Sequence, residues 1–381
     1  MSRLDDLIGS AVARQDLPFV VAAVADRDGI LWEGQAGQAN AARAAGPDTV
    51  FRWYSQTKAI GSLGAMILVD RGLLSLETPV ASVLPEFGDI PVLESLGPGG
   101  PVMRAPRTTA TLRHLLTHTS GLAYPTVSGL MAAYADQTPG VPGKLEWLNV
   151  PLMFDPGQGW IYGTGIDWAG CMVAAVDGRG IERFYREEIL DPLDMHDTVF
   201  EVSPARERLA DVRQRSEDGG FTESEKDVPV LPEVYGMGHA LHGTARDYIR
   251  FLRMVLNQGE LDGYRFLTKP TFELMTTNQI RDLSVPPMPT FIPAITDAVD
   301  FFPGTRKTHT TGFLRFEEDI PGMRSAGSLG WAGVLNTHYW IDPARDVAAV
   351  FMTQSGPFCE PRFMNAYAQF ERLVYQELPQ L

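Results

Sequence analysis

The sequence predicts an α/β (α+β) protein, in which an antiparallel sheet is flanked by helices and a mostly helical domain is inserted into the chain. Strand-like runs occur near both ends, at residues 20–34 and 323–353, and helix-like patterns dominate between them. The 381 residues are also enough for two lobes. We therefore assign residues 1–73 and 232–381 to a discontinuous α/β domain and residues 74–231 to the helical domain. We expect a ligand site between the two.

The first elements follow from the spacing of apolar residues. Residues 3–15 show helical spacing and predict an amphipathic helix. The run at 20–25 is apolar throughout and predicts a buried strand, which returns at 30–34 after a short turn. A second helix is predicted over residues 55–72, and the glycine at its end suits the position after a helix terminus.

The middle of the chain is predicted to be helical and rich in loops. A short helix ended by a glycine is expected within 111–122, and longer helices at 167–177 and 181–190. Residues 123–150 are loop-rich and aromatic, which suits the wall of a pocket. Residues 206–230 are polar and charged, as in a solvated connection.

Helical spacing returns over residues 244–258. The segment 284–311 is rich in proline and phenylalanine and has no clear periodicity, and a loop of this length is usually functional or mobile. Three strands and a final helix are predicted to close the chain, at 323–327, 334–341, 347–353 and 362–377.

Composition and charge argue against several classes of function. Hydrophobic residues make up 44% of the chain and charged residues 21%, as in ordinary soluble proteins. The net charge of −15 argues against nucleic-acid and anionic-membrane partners, which need a basic face. Cys171 and Cys359 form neither a disulfide framework nor a metal cluster, so no metal or cofactor is expected. Without a signal-peptide pattern or a long apolar stretch, we expect a cytoplasmic protein, either a monomer or a homo-oligomer.

The strongest candidate for chemistry is the pair Ser55 and Lys58. Residues three apart lie on one face of a helix, so the lysine amine can reach the serine hydroxyl without help from tertiary structure. Lys58 is one of five lysines and the only one with a serine three positions earlier, and the apolar helix after it predicts a buried amine. Such an amine can take the serine proton and create a nucleophile. An N-cap serine beside an exposed lysine is the alternative, and this stretch alone does not decide between them.

Two later stretches supply candidates for the rest of such a site. Tyr162 lies in a glycine-rich loop before a predicted helix and could share a proton with the pair, whereas the alternative is a packed aromatic residue. Residues 330–334 (GWAGV) enter a strand, where small residues let a substrate approach the strand edge. The alternative there is a β-bulge beside a core tryptophan.

These motifs make the sequence similar to the serine β-lactamase and penicillin-binding-protein superfamily. Within it, the chain most resembles the class C β-lactamase-like branch that contains the family VIII carboxylesterases. The resemblance covers nearly the whole chain and implies the sheet and helical domain described above. The matching motifs are 55–58 (S-x-x-K), 115–122 (LLTHTSGL), 155–162 (DPG leading to a tyrosine), 191–195 (DPLDM), 243–247 (GTARD) and 330–333 (GWAG).

The resemblance implies a role for each matching residue. Ser55 would be the acylated nucleophile, and Lys58 and Tyr162 would form the general-base system. The backbone N–H groups of Ser55 and Val334 would form the oxyanion hole. The candidate substrate-binding residues are Trp331, Ala332, Gly333 and Tyr124.

Three departures from the family pattern bear on the substrate. After Tyr162 come Gly163 and Thr164, and not the pair ending in asparagine that normally binds the side-chain amide of a β-lactam. Trp331 replaces the K-T-G lysine, which attracts a substrate carboxylate, and Ala332 replaces the middle residue of the W-G-G motif of family VIII esterases. The loss of the asparagine and the loss of the lysine both favour an uncharged ester over a β-lactam or a peptide with a free carboxylate.

Together these residues predict a serine carboxylesterase that hydrolyses small carboxylic esters through an acyl-enzyme on Ser55. The segments 124–147 and 284–302 would shape its pocket, while His114 and His118 would be structural. The expected partner is a small-molecule ester. An acyltransferase, an amidase or a weak β-lactamase or D-peptidase could use the same machinery. A non-catalytic ligand-binding protein of this fold is the alternative from another class.

Overall fold

The computed structural model describes residues 2–140, 144–224 and 232–377. The described strands are β1 (Phe19–Ala25), β2 (Ile30–Gly37), β3 (Phe51–Arg52), β4 (Val92–Gly97), β5 (Gly100–Arg104), β6 (Val212–Arg215), β7 (Phe221–Ser224), β8 (His242–Gly243), β9 (Glu260–Leu261), β10 (Tyr264–Arg265), β11 (Lys307–His309), β12 (Leu314–Phe316), β13 (Leu329–Gly333), β14 (Thr337–Asp342), β15 (Val347–Met352) and β16 (Ser355–Gly356). The described α-helices are α1 (Arg3–Ala13), α2 (Thr57–Asp70), α3 (Val80–Val83), α4 (Leu112–Leu116), α5 (Gly129–Gln137), α6 (Leu145–Leu148), α7 (Gly165–Asp177), α8 (Ile181–Tyr185), α9 (Ala245–Leu256), α10 (Lys269–Thr276) and α11 (Pro361–Glu377). None of the helices in these ranges is both long and apolar enough to cross a membrane.

A seven-stranded sheet forms the centre of the fold, with the strand order β11-β12-β13-β14-β15-β1-β2. All of its strand pairs are antiparallel. β1 pairs with β15 in the register Val21↔Met352, so strands from the two ends of the chain are neighbours. The sheet therefore joins strands from the segments 1–73 and 232–381, while the division of the chain into two domains stays a prediction.

Helices cover both faces of this sheet. On one face, α1 and α11 pack together, and Leu4, Ile8 and Phe370 form a buried cluster with Val20 and Trp340. On the other face, α9 packs against β1, β14 and β15 within the larger core, to which α2 and α7 also belong. Covering on both faces explains why all seven residues of β1 are buried and why its sequence is apolar throughout.

Helix α2 runs through the interior of the larger core. Every residue from Thr57 to Leu68 is buried, and the helix packs against α7. A helix buried on all sides needs apolar or small residues around its whole circumference, which residues 59–68 supply. Lys58 is the exception to this apolar composition, since its side chain ends in an amine. Burying an amine is costly unless polar partners surround it.

Most of the predicted helices and strands are confirmed within a few residues. The predictions at 3–15, 20–25, 30–34, 55–72, 167–177, 244–258, 347–353 and 362–377 correspond to α1, β1, β2, α2, α7, α9, β15 and α11. The predicted helix at 181–190 is α8 followed by the π-helical turn Arg186–Leu190.

Two of the predicted closing strands need correction. The segment 323–327 is not a strand, and β12 and β13 lie on either side of it instead. The strand predicted from residue 334 begins at Thr337, because the preceding residues turn the chain between β13 and β14. Asn336 in this turn has a φ of 61°, a left-handed conformation that asparagine tolerates well.

Two hairpins lie where the sequence predicts none. β4 and β5 pair in the region predicted as helix and loop, and β6 and β7 pair within the predicted connection 206–230, of which residues 225–230 lie outside the described residues. Every residue of β5 and β7 is at least partly exposed. Such strands lack the apolar alternation by which a half-buried strand is recognised.

Candidate active site

Ser55 lies in a 3₁₀ turn, Tyr54–Gln56, that leads directly into α2. Tyr54 has a φ of 46°, in the left-handed region that non-glycine residues seldom adopt. Gly333 of β13 packs so closely against the carbonyl of Trp53 that a Cβ there would clash with it. The left-handed conformation of Tyr54 is strained, and such strain persists only where the surrounding structure imposes it. Strained backbone is frequent at catalytic residues.

The Lys58 side chain is 1% exposed, and its amine has three oxygen partners. Nζ lies 3.2 Å from Ser55 Oγ, 3.0 Å from the Tyr124 hydroxyl and 2.9 Å from the carbonyl oxygen of Gly238. These three partners match the three protons of an ammonium group. In the neutral amine, two protons suffice for Tyr124 and Gly238, and the lone pair can accept the Ser55 proton.

The predicted substrate-binding residue Tyr124 lies beside Lys58. It is absent from the residues lining the cavity beside Ser55, and its hydroxyl instead accepts a hydrogen bond from Lys58. Burial raises the pKa of Tyr124 well above its usual value, and Asp167 and Tyr162 add to the shift. The hydroxyl therefore stays protonated at neutral pH. Sequence reasoning missed this contact because a single tyrosine in a loop carries no spacing signal toward a lysine 66 residues away.

Tyr162 and Trp331 meet beside the same lysine. Trp331 Nε1 donates a hydrogen bond to the Tyr162 hydroxyl at 3.2 Å, and the two ring centroids are 4.9 Å apart. Lys58 Nζ lies 4.9 Å from the centroid of the Tyr162 ring. The backbone N–H of Tyr124 also donates to the carbonyl of Tyr162 at 3.0 Å. The structure thus joins the two tyrosines, the lysine and the tryptophan in one cluster.

Two histidines in this region accept hydrogen bonds from backbone N–H groups. His118 Nδ1 accepts a hydrogen bond from Gly163 N–H at 3.4 Å, and its ring lies edge-on to Tyr162 at 4.9 Å. Burial, with His309 and Lys58 adding, lowers the pKa of His118 well below its usual value, so the ring is neutral. His114 Nδ1 accepts from Thr111 N–H at the start of α4. These contacts fit the structural roles expected for both residues.

A cavity of about 50 Å³ opens beside Ser55. It is lined by Ser55, Thr126, Val127, Tyr162, Met288, Pro289, Thr296, Val299, Trp331, Ala332, Val334 and Phe358. None of these lining residues carries a formal charge, and most are apolar. The two segments predicted to shape the pocket contribute to this wall, whereas Phe358 was not predicted. Gly333 is absent from the lining, and its lack of a side chain serves the packing against Trp53.

The segment 284–302 is tied to the rest of the cavity wall by backbone hydrogen bonds. Phe291 N–H donates to the carbonyl of Thr126, and Asp297 N–H donates to the carbonyl of Phe358, both at 2.9 Å. Of the two interpretations of this loop, a functional segment or a mobile one, the lining of the cavity supports the functional one.

The two predicted oxyanion-hole residues, Ser55 and Val334, both line this cavity. β13, which ends one residue before Val334, packs against the 3₁₀ turn that carries Ser55. The turn that carries Ser55 and the residues at the end of this strand therefore border the same cavity.

Comparisons with known proteins cover almost the whole chain. A family profile described as Beta-lactamase matches residues 4–373. The acyltransferase calJ of Penicillium decumbens is 31% identical over 350 residues, covering 86% of this chain and 82% of that protein. The lovastatin esterase of Penicillium rubens is 30% identical over 330 residues, covering 81% of this chain and 80% of that protein.

The fold is also found among solved structures. A mutant of simvastatin synthase (LovD) from Aspergillus terreus superposes with a TM-score of 0.85 at 27% identity, covering 99% of this chain and 97% of that one. The large antiparallel sheet with flanking helices is therefore shared with that structure. The chain belongs to the beta-lactamase family, within the superfamily of serine hydrolases and acyltransferases.

Proposed function

We propose that the chain is a serine carboxylesterase of the family VIII type, which hydrolyses small uncharged carboxylic esters through an acyl-enzyme on Ser55. One observation carries the proposal: the buried amine of Lys58 lies 3.2 Å from Ser55 Oγ, beside a cavity lined by uncharged residues. A lysine shielded from water in this way can act as the base that a serine nucleophile needs. The similarity to a protein named as an esterase supports the same activity.

In the proposed acylation step, Ser55 Oγ attacks the ester carbonyl carbon and its proton passes to Lys58 Nζ. The N–H groups of Ser55 and Val334 stabilise the oxyanion, and one such donor is worth about 3 kcal/mol. When the bond to the alcohol oxygen breaks, that oxygen needs a proton. The Tyr162 hydroxyl, oriented by the Trp331 indole, passes the proton from Lys58 to the leaving alcohol.

Deacylation reverses these roles. Water gives one proton to the same relay, its oxygen attacks the acyl carbon, and Ser55 leaves with a proton returned from Lys58. The acid is then released and the enzyme is regenerated. The small cavity suits a short acyl group, and the lack of a cation among its lining residues gives no partner for a β-lactam carboxylate.

Acyl transfer to an alcohol is the second candidate. The similarity to the acyltransferase calJ favours it, since an alcohol that replaces water in deacylation would use the same groups. Only the relative access of water and alcohol to the acyl-enzyme distinguishes the two activities.

Titration with a fluorophosphonate probe tests the shared part of the proposal. We expect stoichiometric labelling of the wild type and none of Ser55→Ala, and equal labelling of both would refute it. Turnover of p-nitrophenyl butyrate, with and without added alcohol, is then compared with a cephalosporin and a D-amino-acid amide. Faster turnover of the cephalosporin would reject the ester as substrate, and an ester product that outweighs the free acid would favour acyl transfer.

A further inference from the structure

Asp167 is a buried carboxylate that none of the roles above explains. It is the third residue of α7, and its side chain is fully inaccessible to solvent. Oδ1 accepts a hydrogen bond from the N–H of Gly238 at 2.9 Å, whereas Oδ2 has no hydrogen-bond partner in the described part of the chain. A buried carboxylate is costly unless charges or donors compensate it.

Two basic side chains supply much of this compensation. His239 Nδ1 lies 3.1 Å from Oδ1, although not in hydrogen-bonding geometry, and Lys58 also acts on the carboxylate through its charge. Burial raises the pKa of Asp167, but His239, Lys58 and the Gly238 N–H together outweigh burial and leave the pKa below its usual value. The carboxylate is therefore ionised at neutral pH.

Gly238 connects this carboxylate to the catalytic lysine. Its N–H donates to Asp167, and its carbonyl oxygen accepts the 2.9 Å hydrogen bond from Lys58 Nζ. The two contacts belong to one residue, so a shift of Gly238 away from the carboxylate also moves the carbonyl away from the amine. A side chain at Gly238 would break this arrangement, since its Cβ would lie 2.5 Å from Asp167 Oδ2.

The residue before Gly238 fixes the loop between two helices. Met237 is fully buried. A Cβ on Gly61 of α2 would lie 2.5 Å from the Met237 carbonyl oxygen, and a Cβ on Gly170 of α7 would lie 2.7 Å from its Cγ. The loop is thus wedged between α2, which carries Lys58, and α7, which carries Asp167. Glycines on both helices are what permit this close approach.

We propose that Asp167 is a positioning residue for acylation: it holds Gly238 so that the glycine carbonyl orients the Lys58 amine toward Ser55. The inference rests on the proposed function, because it requires Lys58 to be the base for Ser55. The other titratable groups around the amine are Tyr124 and Tyr162, with which it is in contact, and His118, which it influences through its charge.

The test compares Asp167→Ala and Asp167→Asn with the control Asp247→Asn. Asp247 is likewise the third residue of a helix and buried, but its carboxylate accepts from Thr198 and not from the loop at Lys58. Acylation by p-nitrophenyl butyrate is followed by stopped flow from pH 5 to 10, with thermal unfolding measured for every variant.

We expect acylation to fall about 100-fold in Asp167→Ala, as a displaced catalytic group implies. Asparagine keeps an acceptor for the Gly238 N–H, so Asp167→Asn should recover part of this loss and fall about tenfold. Asp247→Asn should keep the wild-type rate.

A folded Asp167→Ala protein with wild-type acylation overturns the inference, and so does a folded Asp167→Asn protein that recovers none of the loss. If neither Asp167 variant folds, Gly238→Ala displaces the carbonyl while keeping the carboxylate, and it must then lose acylation. Wild-type acylation in Gly238→Ala overturns the inference as well. Failure of the proposed function is recognised separately, because wild-type Ser55 would then not be labelled at all by the fluorophosphonate.

Discussion

Replacing Tyr124 and Tyr162 separately by phenylalanine should distinguish two tyrosines that lie at the same lysine. Tyr162→Phe removes the hydroxyl that Trp331 orients and that, in the proposed mechanism, protonates the leaving alcohol. General acid catalysis contributes about 10²- to 10⁴-fold, so kcat/KM should fall by that factor. Tyr124→Phe removes one of the three oxygen partners of Lys58 and leaves the relay in place. Losing a hydrogen bond to a charged group costs about 1.5–3 kcal/mol, or roughly 10- to 150-fold.

The choice of leaving group makes this comparison sharper. p-Nitrophenolate is a stable anion and leaves without being protonated. An alkyl alcohol, by contrast, must receive a proton as it leaves. The loss in Tyr162→Phe should therefore be much larger for ethyl butyrate, followed by release of acid, than for p-nitrophenyl butyrate. The loss in Tyr124→Phe should be similar for both esters. The double variant should lose less than the sum of the two effects in free energy, because both residues contact Lys58.

Two results would refute this reasoning. An equal loss of Tyr162→Phe on the alkyl and nitrophenyl esters would show that its hydroxyl does not protonate the leaving group. A leaving-group dependence confined to Tyr124→Phe would assign the relay to Tyr124 instead. Thermal unfolding of each variant serves as the control for folding.

Three further changes test the site and the core. Trp331→Phe removes the indole N–H that orients Tyr162 and should lower kcat/KM about 3- to 10-fold, and an unchanged value would mean that this hydrogen bond does not matter in solution. Glu371→Gln leaves the buried Arg324 guanidinium without its counter-charge and should cost about 3–5 kcal/mol in urea unfolding, whereas a surface-like effect below 1 kcal/mol would contradict the buried pair. Burial, with Arg324 adding, lowers the pKa of His338 to about 3, so only the unfolded chain binds this proton as the pH falls below about 6.5. At pH 5 this should cost about 2 kcal/mol of stability relative to pH 8, and His338→Phe should reduce the loss in chemical unfolding by that amount.

Apolar spacing predicted the longer buried elements but missed the short buried strands β11, β12 and β13. β1 and α2 are apolar because the sheet and the core surround them, and the sequence alone identified both. The hairpins β4–β5 and β6–β7 are not predicted from the sequence because their exposed strands are stabilised by backbone pairing. Backbone pairing produces no pattern of apolar residues. The apolar residues of 323–327 predict a strand, yet Arg324 in this segment is buried through a pair with Glu371, a contact 47 residues away.

In the candidate site, too, some contacts follow from the sequence and others only from the fold. The contact of Lys58 with Ser55 is set by three residues of helical spacing, so the sequence by itself determined it. Tertiary structure alone decided the other two partners of the amine, Tyr124 and Gly238, which come from 66 and 180 residues away. Tertiary structure also brings the Trp331 indole N–H to the Tyr162 hydroxyl, and the Gly238 N–H to the Asp167 carboxylate. A local spacing fixes a distance within one helix, whereas contacts between loops depend on how the sheet and helices bury their apolar faces, and no single stretch of sequence encodes that packing.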